Sequence, residues 1–92
     1  MYAAVTTRQG VPERIDDATR FVREEGAPQA KARPGFVRGL FLVDRAAGKT
    51  ITITIHQTEE QARAGGVSER LSELVGTRGQ PTREVYEIAV EA

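Results

Sequence analysis

The chain has no cysteine, no tryptophan, one histidine and one methionine in 92 residues. Without cysteine there is no disulfide framework, no thiolate metal site and no thiol nucleophile. One histidine among scattered carboxylates gives no ligand cluster of recognisable metal-binding spacing. A surplus of one charge is missing too: 13 basic and 13 acidic side chains cancel to zero at pH 7. Nucleic acid and anionic membranes usually call for a basic surplus, so the balance argues against both as partners. No apolar run approaches a membrane-spanning length. The first residues read as a strand, not as a charged segment leading into an apolar signal region. A soluble, cytoplasmic protein is the expectation. Gly65, Gly66, Gly76 and Gly79 fit neither a dinucleotide fingerprint nor a Walker loop. No serine stands in the sharp strand-to-helix turn that hydrolases use.

What is present is a lean set of core-forming residues. Val, Ile, Leu and Phe number 21 of 92, about 23%, in a length that suits one domain over 1–92. Tyr2 to Arg8 is rich in β-formers and ends before Gly10, which marks a first strand. Pro12 opens a helix, and Ile15, Ala18, Phe21 and Val22 fall at helical spacing along one apolar face. Gly26 and Pro28 are expected to break it, with a second short helical piece from Pro28 closed by Arg33-Pro34-Gly35. "FVRGLFLV", Phe36 to Val43, is apolar on both parities and reads as a strand covered on both faces. Ala46 to Lys49 is a hairpin turn, and Thr50 to Gln57 the next strand. Thr58-Glu-Glu-Gln61 has the capping-box pattern and starts a second helix, which Gly65-Gly66 interrupts and Ser68 to Val75 resumes. After a loop at Gly76 to Pro81, Arg83 to Val90 is the last strand.

The order strand, helix, strand, strand, helix, strand predicts an α+β, ferredoxin-like βαββαβ fold: a four-stranded antiparallel sheet with both helices on one face. That leaves one face bare, yet "FVRGLFLV" and "ITITIH" carry little charge on either parity. A second sheet packed on the bare face supplies the missing cover and predicts a homodimer. The stretch "KTITITIHQTEE" then poses two phasings. Either Thr52, Thr54 and His56 face the helices and Ile51, Ile53 and Ile55 face a partner sheet, or the reverse. The same strand order occurs in the RNA-recognition fold, which reads bases with aromatic residues on its central strands, and "KTITITIH" has none.

The strand-one segment "TTRQGVPERID", the "RPGF" lead-in to strand two, the "VDRAAGKTITITI" hairpin and the "HQTEEQARAG" exit from strand three together resemble the antibiotic biosynthesis monooxygenase type of dimeric α+β barrel, over nearly the whole chain. The resemblance implies a homodimer with its two sheets face to face, and a small cavity in each subunit between sheet and helices. It also implies one of three activities: oxidation of aromatic or polyketide-like phenols without a cofactor, cleavage of haem, or none established. The residues that haem-cleaving members use fall here near Ala3, Gly65 and Val75, none of which can do that chemistry. Where quinone-forming members often carry a tryptophan, with an asparagine four residues before it, this chain resembles them only by position, with His56 and Thr52. No cofactor is implied. The resemblance also favours the phasing that puts His56 in the cavity.

The candidate residues follow. His56 is the one imidazole and can serve as a general base; the plainer role is to end a strand. Tyr86 is a second catalytic candidate, through a hydrogen bond to a ligand. Thr52 and Thr54 form a polar cavity wall or simply satisfy β-propensity, Arg38 holds an anionic group or an interface ion pair, and Phe21 and Phe41 supply apolar lining. The functional expectation is a cofactor-independent monooxygenase of a small aromatic or polyketide-like substrate. The other reading is a non-catalytic dimeric module that binds a small ligand or supports another protein.

Overall fold

A computed structural model describes residues 1–92. Strand β1 is Tyr2–Gln9, β2 is Phe36–Asp44, β3 is Lys49–His56 and β4 is Thr82–Glu87. They form one antiparallel sheet in the order β2-β3-β1-β4. Helices α1 (Ile15–Phe21) and α2 (Ala27–Lys31) lie between β1 and β2; α3 (Glu59–Ala64) and α4 (Glu69–Leu74) lie between β3 and β4. This is the expected ferredoxin-like arrangement. No helix is long and apolar enough to cross a membrane.

Local chemistry explains most of the boundaries. The Thr58 hydroxyl accepts from the Gln61 N–H while the Gln61 side chain accepts from the Thr58 N–H, the reciprocal cap expected at the start of α3. The Ser68 hydroxyl accepts from the Leu71 N–H and starts α4 in the same way. Between β1 and α1 the backbones approach too closely for any side chain. A Cβ on Gly10 would collide with the Val75 carbonyl, and there Val11 N–H donates to Val75 O (3.0 Å) and Gly10 N–H to Gly48 O (2.9 Å).

The expected break at Gly26 and Pro28 does not occur. Gly26 sits in the right-handed helical region (φ −64°, ψ −45°), and the chain runs helically from Pro12 through Lys31. Pro28 lacks an N–H, and its ring would meet the carbonyl four residues back in a regular α-helix. The chain avoids that clash by widening into a π turn over Val22–Gly26, where Ala27 N–H donates to Val22 O, five residues back. Strand β4 is also shorter than expected. Its ladder with β1 closes at the Ile88 N–H to Met1 O bond, leaving Val90 exposed.

The core lies between the helices and one face of the sheet. Ala18, Leu71 and Val75 are its buried centre, with Phe21, Val22 and Phe41 packed around them. Removing a side chain such as Leu71 there costs about 2–5 kcal/mol. The covered face of the sheet is otherwise polar, for its buried residues include Thr6, Arg8, Thr50 and His56.

Candidate functional site

Register assigns every strand residue to a face, since directly paired residues point the same way. Phe41 packs in the helix-side core and pairs with Thr52, which pairs with Thr6, which pairs with Arg83. Thr50, Thr52, Thr54 and His56 therefore face the helices, and Ile51, Ile53 and Ile55 face away. The structure selects the first of the two phasings.

Between this polar face and the helices, and around the β2 edge onto Val37, Leu40 and Ile53, lies a partly open cavity of about 500 Å³. Its floor is Ala4, Thr6 and Arg8 of β1 with Thr52, Thr54 and His56 of β3. Its roof is Phe21, Val22, Ala27 and Ala30. Phe36 and Phe41 close the side toward β2, so all three phenylalanines of the chain line it. His56 is 2% exposed, stands edge-to-face to Phe36 with ring centroids 6.0 Å apart, and has no partner on Nδ1. The Thr52 hydroxyl is likewise buried without a partner.

The charges around the cavity are one-sided. Arg8, Lys31, Arg33, Arg38 and Arg83 border it and no Asp or Glu does. Arg8 is 2% exposed; its Nε donates to Ser72 Oγ (2.9 Å), its Nη2 to Ser68 O (3.2 Å), and its Nη1 has no partner. Burial lowers its pKa below the usual arginine value. Arg83 Nη2 donates to Ala62 O (2.8 Å) while its Nε is buried and unpartnered. Its pKa is lowered as well, first by burial and then by the charge of Arg33.

Of the residues expected at the site, His56, Thr52, Thr54, Phe21 and Phe41 come together around this cavity. Tyr86 does not. It pairs with Ala3, on the parity of the isoleucines, so it faces the other side of the sheet and is 52% exposed. Its hydroxyl donates to Glu84 Oε2 (2.6 Å), and that bond is the main cause of its raised pKa. Arg38 is a partial correction. It borders the cavity at the sheet edge, but after the irregularity between Phe36 and Arg38 it pairs with Ile55, and it is exposed. By the same register Arg38 shares the face of Ile55, away from the helices, so it reaches the cavity only around the sheet edge.

Arg8 and Arg83 were not foreseen. The available signal was alternation: Arg8 shares its parity with Ala4 and Thr6, and Arg83 with Val85. A charged residue on the covered parity of a strand stands out once that parity is known.

No family model matches the chain. The uncharacterised protein Rv2557 of Mycobacterium tuberculosis is 32% identical over 94 residues, taking in 97% of this chain and 41% of that protein. The chain thus spans under half the length of the curated relatives it matches. In three dimensions it is similar to the monooxygenase of gene ActVA-Orf6 from Streptomyces coelicolor, whose structure holds the ligand nanaomycin D. The TM-score is 0.77 at 16% identity, over 99% of this chain and 89% of that one. It is also similar to SnoaB, a cofactor-independent oxygenase from Streptomyces nogalater, with a TM-score of 0.61 at 14% identity over 98% and 95% of the two chains. The chain has the fold of the antibiotic biosynthesis monooxygenases.

Proposed function

We propose that the protein is a cofactor-independent monooxygenase of small aromatic, phenol-bearing substrates, acting in the cavity beside His56. The observation that carries this reading is a buried imidazole with a free Nδ1 set in a cavity walled by all three phenylalanines. Similarity of fold to a monooxygenase holding nanaomycin D and to a cofactor-independent oxygenase supports it. In the proposed reaction His56 takes the phenolic proton and the phenolate passes an electron to dioxygen. One oxygen atom then replaces the two hydrogens of a ring CH₂ as a carbonyl, and the other leaves as water. The residue types needed are a base within reach of the hydroxyl and a dry apolar wall, and His56 with Phe21, Phe36 and Phe41 supply them. The active form in this proposal is a homodimer, because Leu40, Leu42, Ile51, Ile53 and Ile55 share the face that no helix covers.

The test is oxygen uptake and quinone absorbance with a simple anthrone such as dithranol, with no cofactor added. General bases contribute about 100- to 10,000-fold, so His56→Ala is expected to lose at least about tenfold in turnover and to recover part of it with added imidazole. Turnover unaffected by the substitution removes His56 from the reaction, and no turnover of any anthrone or quinol by the unaltered protein removes the oxygenase reading. One observation favours a second reading, ligand binding without turnover: no side chain hydrogen-bonds His56 Nδ1 to orient the ring.

A further inference from the structure

We infer that the ligand of this cavity is an aromatic acid, a flat apolar ring system carrying a carboxylate, and that Arg33 and Arg83 hold the carboxylate. This rests on the proposed use of the cavity for small aromatic molecules and adds their charge.

The charge around the cavity differs from that of the whole chain. The whole chain balances 13 cations against 13 anions, yet five cations and no anion border the cavity. The four ion pairs of the molecule, Arg20–Asp17, Arg45–Asp16, Arg63–Glu59 and Arg70–Glu73, all lie elsewhere on exposed surface. Carboxylates are therefore available to the chain but are not spent on Arg8, Arg33 or Arg83.

Two of these cations converge. A Cβ on Gly65 would lie 3.0 Å from Arg83 Nη2 and 3.5 Å from Arg33 Cζ, so two guanidinium groups flank one point at the cavity wall with nothing acidic between them. Like charges so placed repel, and a bound oxyanion turns that repulsion into attraction to both. Guanidinium forks match carboxylate geometry, so one carboxylate suits two such groups this close together, and any side chain at position 65 would crowd them.

Arg8 is the independent observation. A buried arginine without a counter-ion is costly, and an anion supplied from outside the chain would offset that cost. Its Nη1 is buried and unpartnered, and the residue lines the same cavity. Ser72 Oγ and Ser68 O occupy its other donors and fix the plane of the group. The three phenylalanines supply the surface for the ring that bears the charge.

The experiment is calorimetric titration of the folded protein with 1-hydroxy-2-naphthoate and with 1-naphthol, which share a ring system and differ in the carboxylate. The naphthoate is expected to bind at least about tenfold more tightly, with a preference that shrinks as sodium chloride is raised. Arg83→Gln and Arg33→Gln are each expected to remove most of that preference while naphthol binding stays the same. The salt dependence is read on the unaltered protein, so it stands even where a variant folds poorly. Equal binding of the two probes, binding of neither, or a preference that survives the double substitution would each overturn the inference. Turnover of a neutral anthrone without any carboxylate preference sinks this inference and leaves the oxygenase reading. A carboxylate preference without turnover does the opposite.

Discussion

The two faces of the sheet reverse the usual arrangement. The face beneath the helices sets Thr6, Arg8, Thr52, Thr54 and His56 among Ala4, Phe36 and Phe41, whereas the face without helices is mostly apolar, presenting Val5, Leu40, Leu42, Ile51, Ile53 and Ile55 with Arg38, Glu84 and Tyr86 toward its edges. Helices usually cover an apolar face because burial of apolar surface is what holds a domain together. Here the covered face is polar where it borders a cavity, so its hydroxyls and guanidinium groups answer to a ligand rather than to a packed core. The uncovered face keeps its apolar character because, in the proposal, another copy of the sheet covers it. Leu40 and Leu42 are 40% and 43% exposed in the isolated chain, a row that soluble proteins seldom leave uncovered.

The contrast breaks most visibly from the open side. Leu40→Asp puts a charge in the middle of the proposed interface, where an unpaired buried charge costs about 3–5 kcal/mol, on the order of 100- to 5,000-fold in dimer Kd. Sedimentation equilibrium at micromolar concentration is expected to show a dimer for the unaltered protein and a monomer for the variant. If Leu40→Asp and Leu42→Asp both sediment as dimers, the apolar face is not where the copies meet.

On the covered side the expected effect is smaller and of opposite sign. Arg8→Met replaces a buried guanidinium that lacks a counter-ion by an apolar chain of similar length. Urea denaturation of the ligand-free protein should give a gain of about 1–2 kcal/mol. A loss of that size instead would mean that the bonds to Ser72 and Ser68 outweigh the burial of the charge.

The threonine row sharpens the comparison within one strand. Thr50 and Thr52 both bury a hydroxyl without a partner, but only Thr52 lines the cavity. Each change to valine should stabilise the empty protein by about 1 kcal/mol, because an unsatisfied hydroxyl is exchanged for a methyl of the same shape. Only Thr52→Val should also weaken binding of the naphthoate probe, and a matched loss at both positions would put the site elsewhere.

The least effect is expected at Tyr86. It lies across the sheet from His56, so Tyr86→Phe should leave anthrone turnover within about twofold, the scale of an ordinary surface substitution. Its raised pKa means that folding favours the protonated hydroxyl bonded to Glu84. The associated stability is present below the pKa of an unfolded tyrosine, about 10, and is lost as pH rises through the folded value. The variant's stability should therefore fall off slightly less in that alkaline range.

Sequence reading succeeds where a local signal is sufficient. The Thr58–Gln61 cap, the Gly48 turn with φ +72° and the period-two alternation of β3 each depend on few neighbours, and the element order follows from them. It fails where the outcome depends on contacts distant in sequence. Gly26 and Pro28 look like a stop, but the helix continues by widening. "FVRGLFLV" does not show that Arg38 lies past an irregularity in register, because that depends on pairing with Ile55. Tyr86 could be assigned to a face only after β4 was registered against Ala3 of β1. Arg8 and Arg83 went unseen because a charged residue is ordinarily taken as the exposed member of an alternating pair.

The π turn over the cavity also has a bearing on descent. A turn closed five residues back holds one residue more than an α turn requires. Loss of a single residue between Phe21 and Pro28 would press the proline ring against the carbonyl four residues back, so the helix could become regular only if Pro28 were replaced as well. Phe21, Val22 and Ala27 on either side of that turn form the cavity roof, so such a change would rotate one part of the roof against the other without disturbing the sheet. Relatives that differ in ligand should therefore differ in length here, at the helix, more often than in the strands that carry His56 and Arg83.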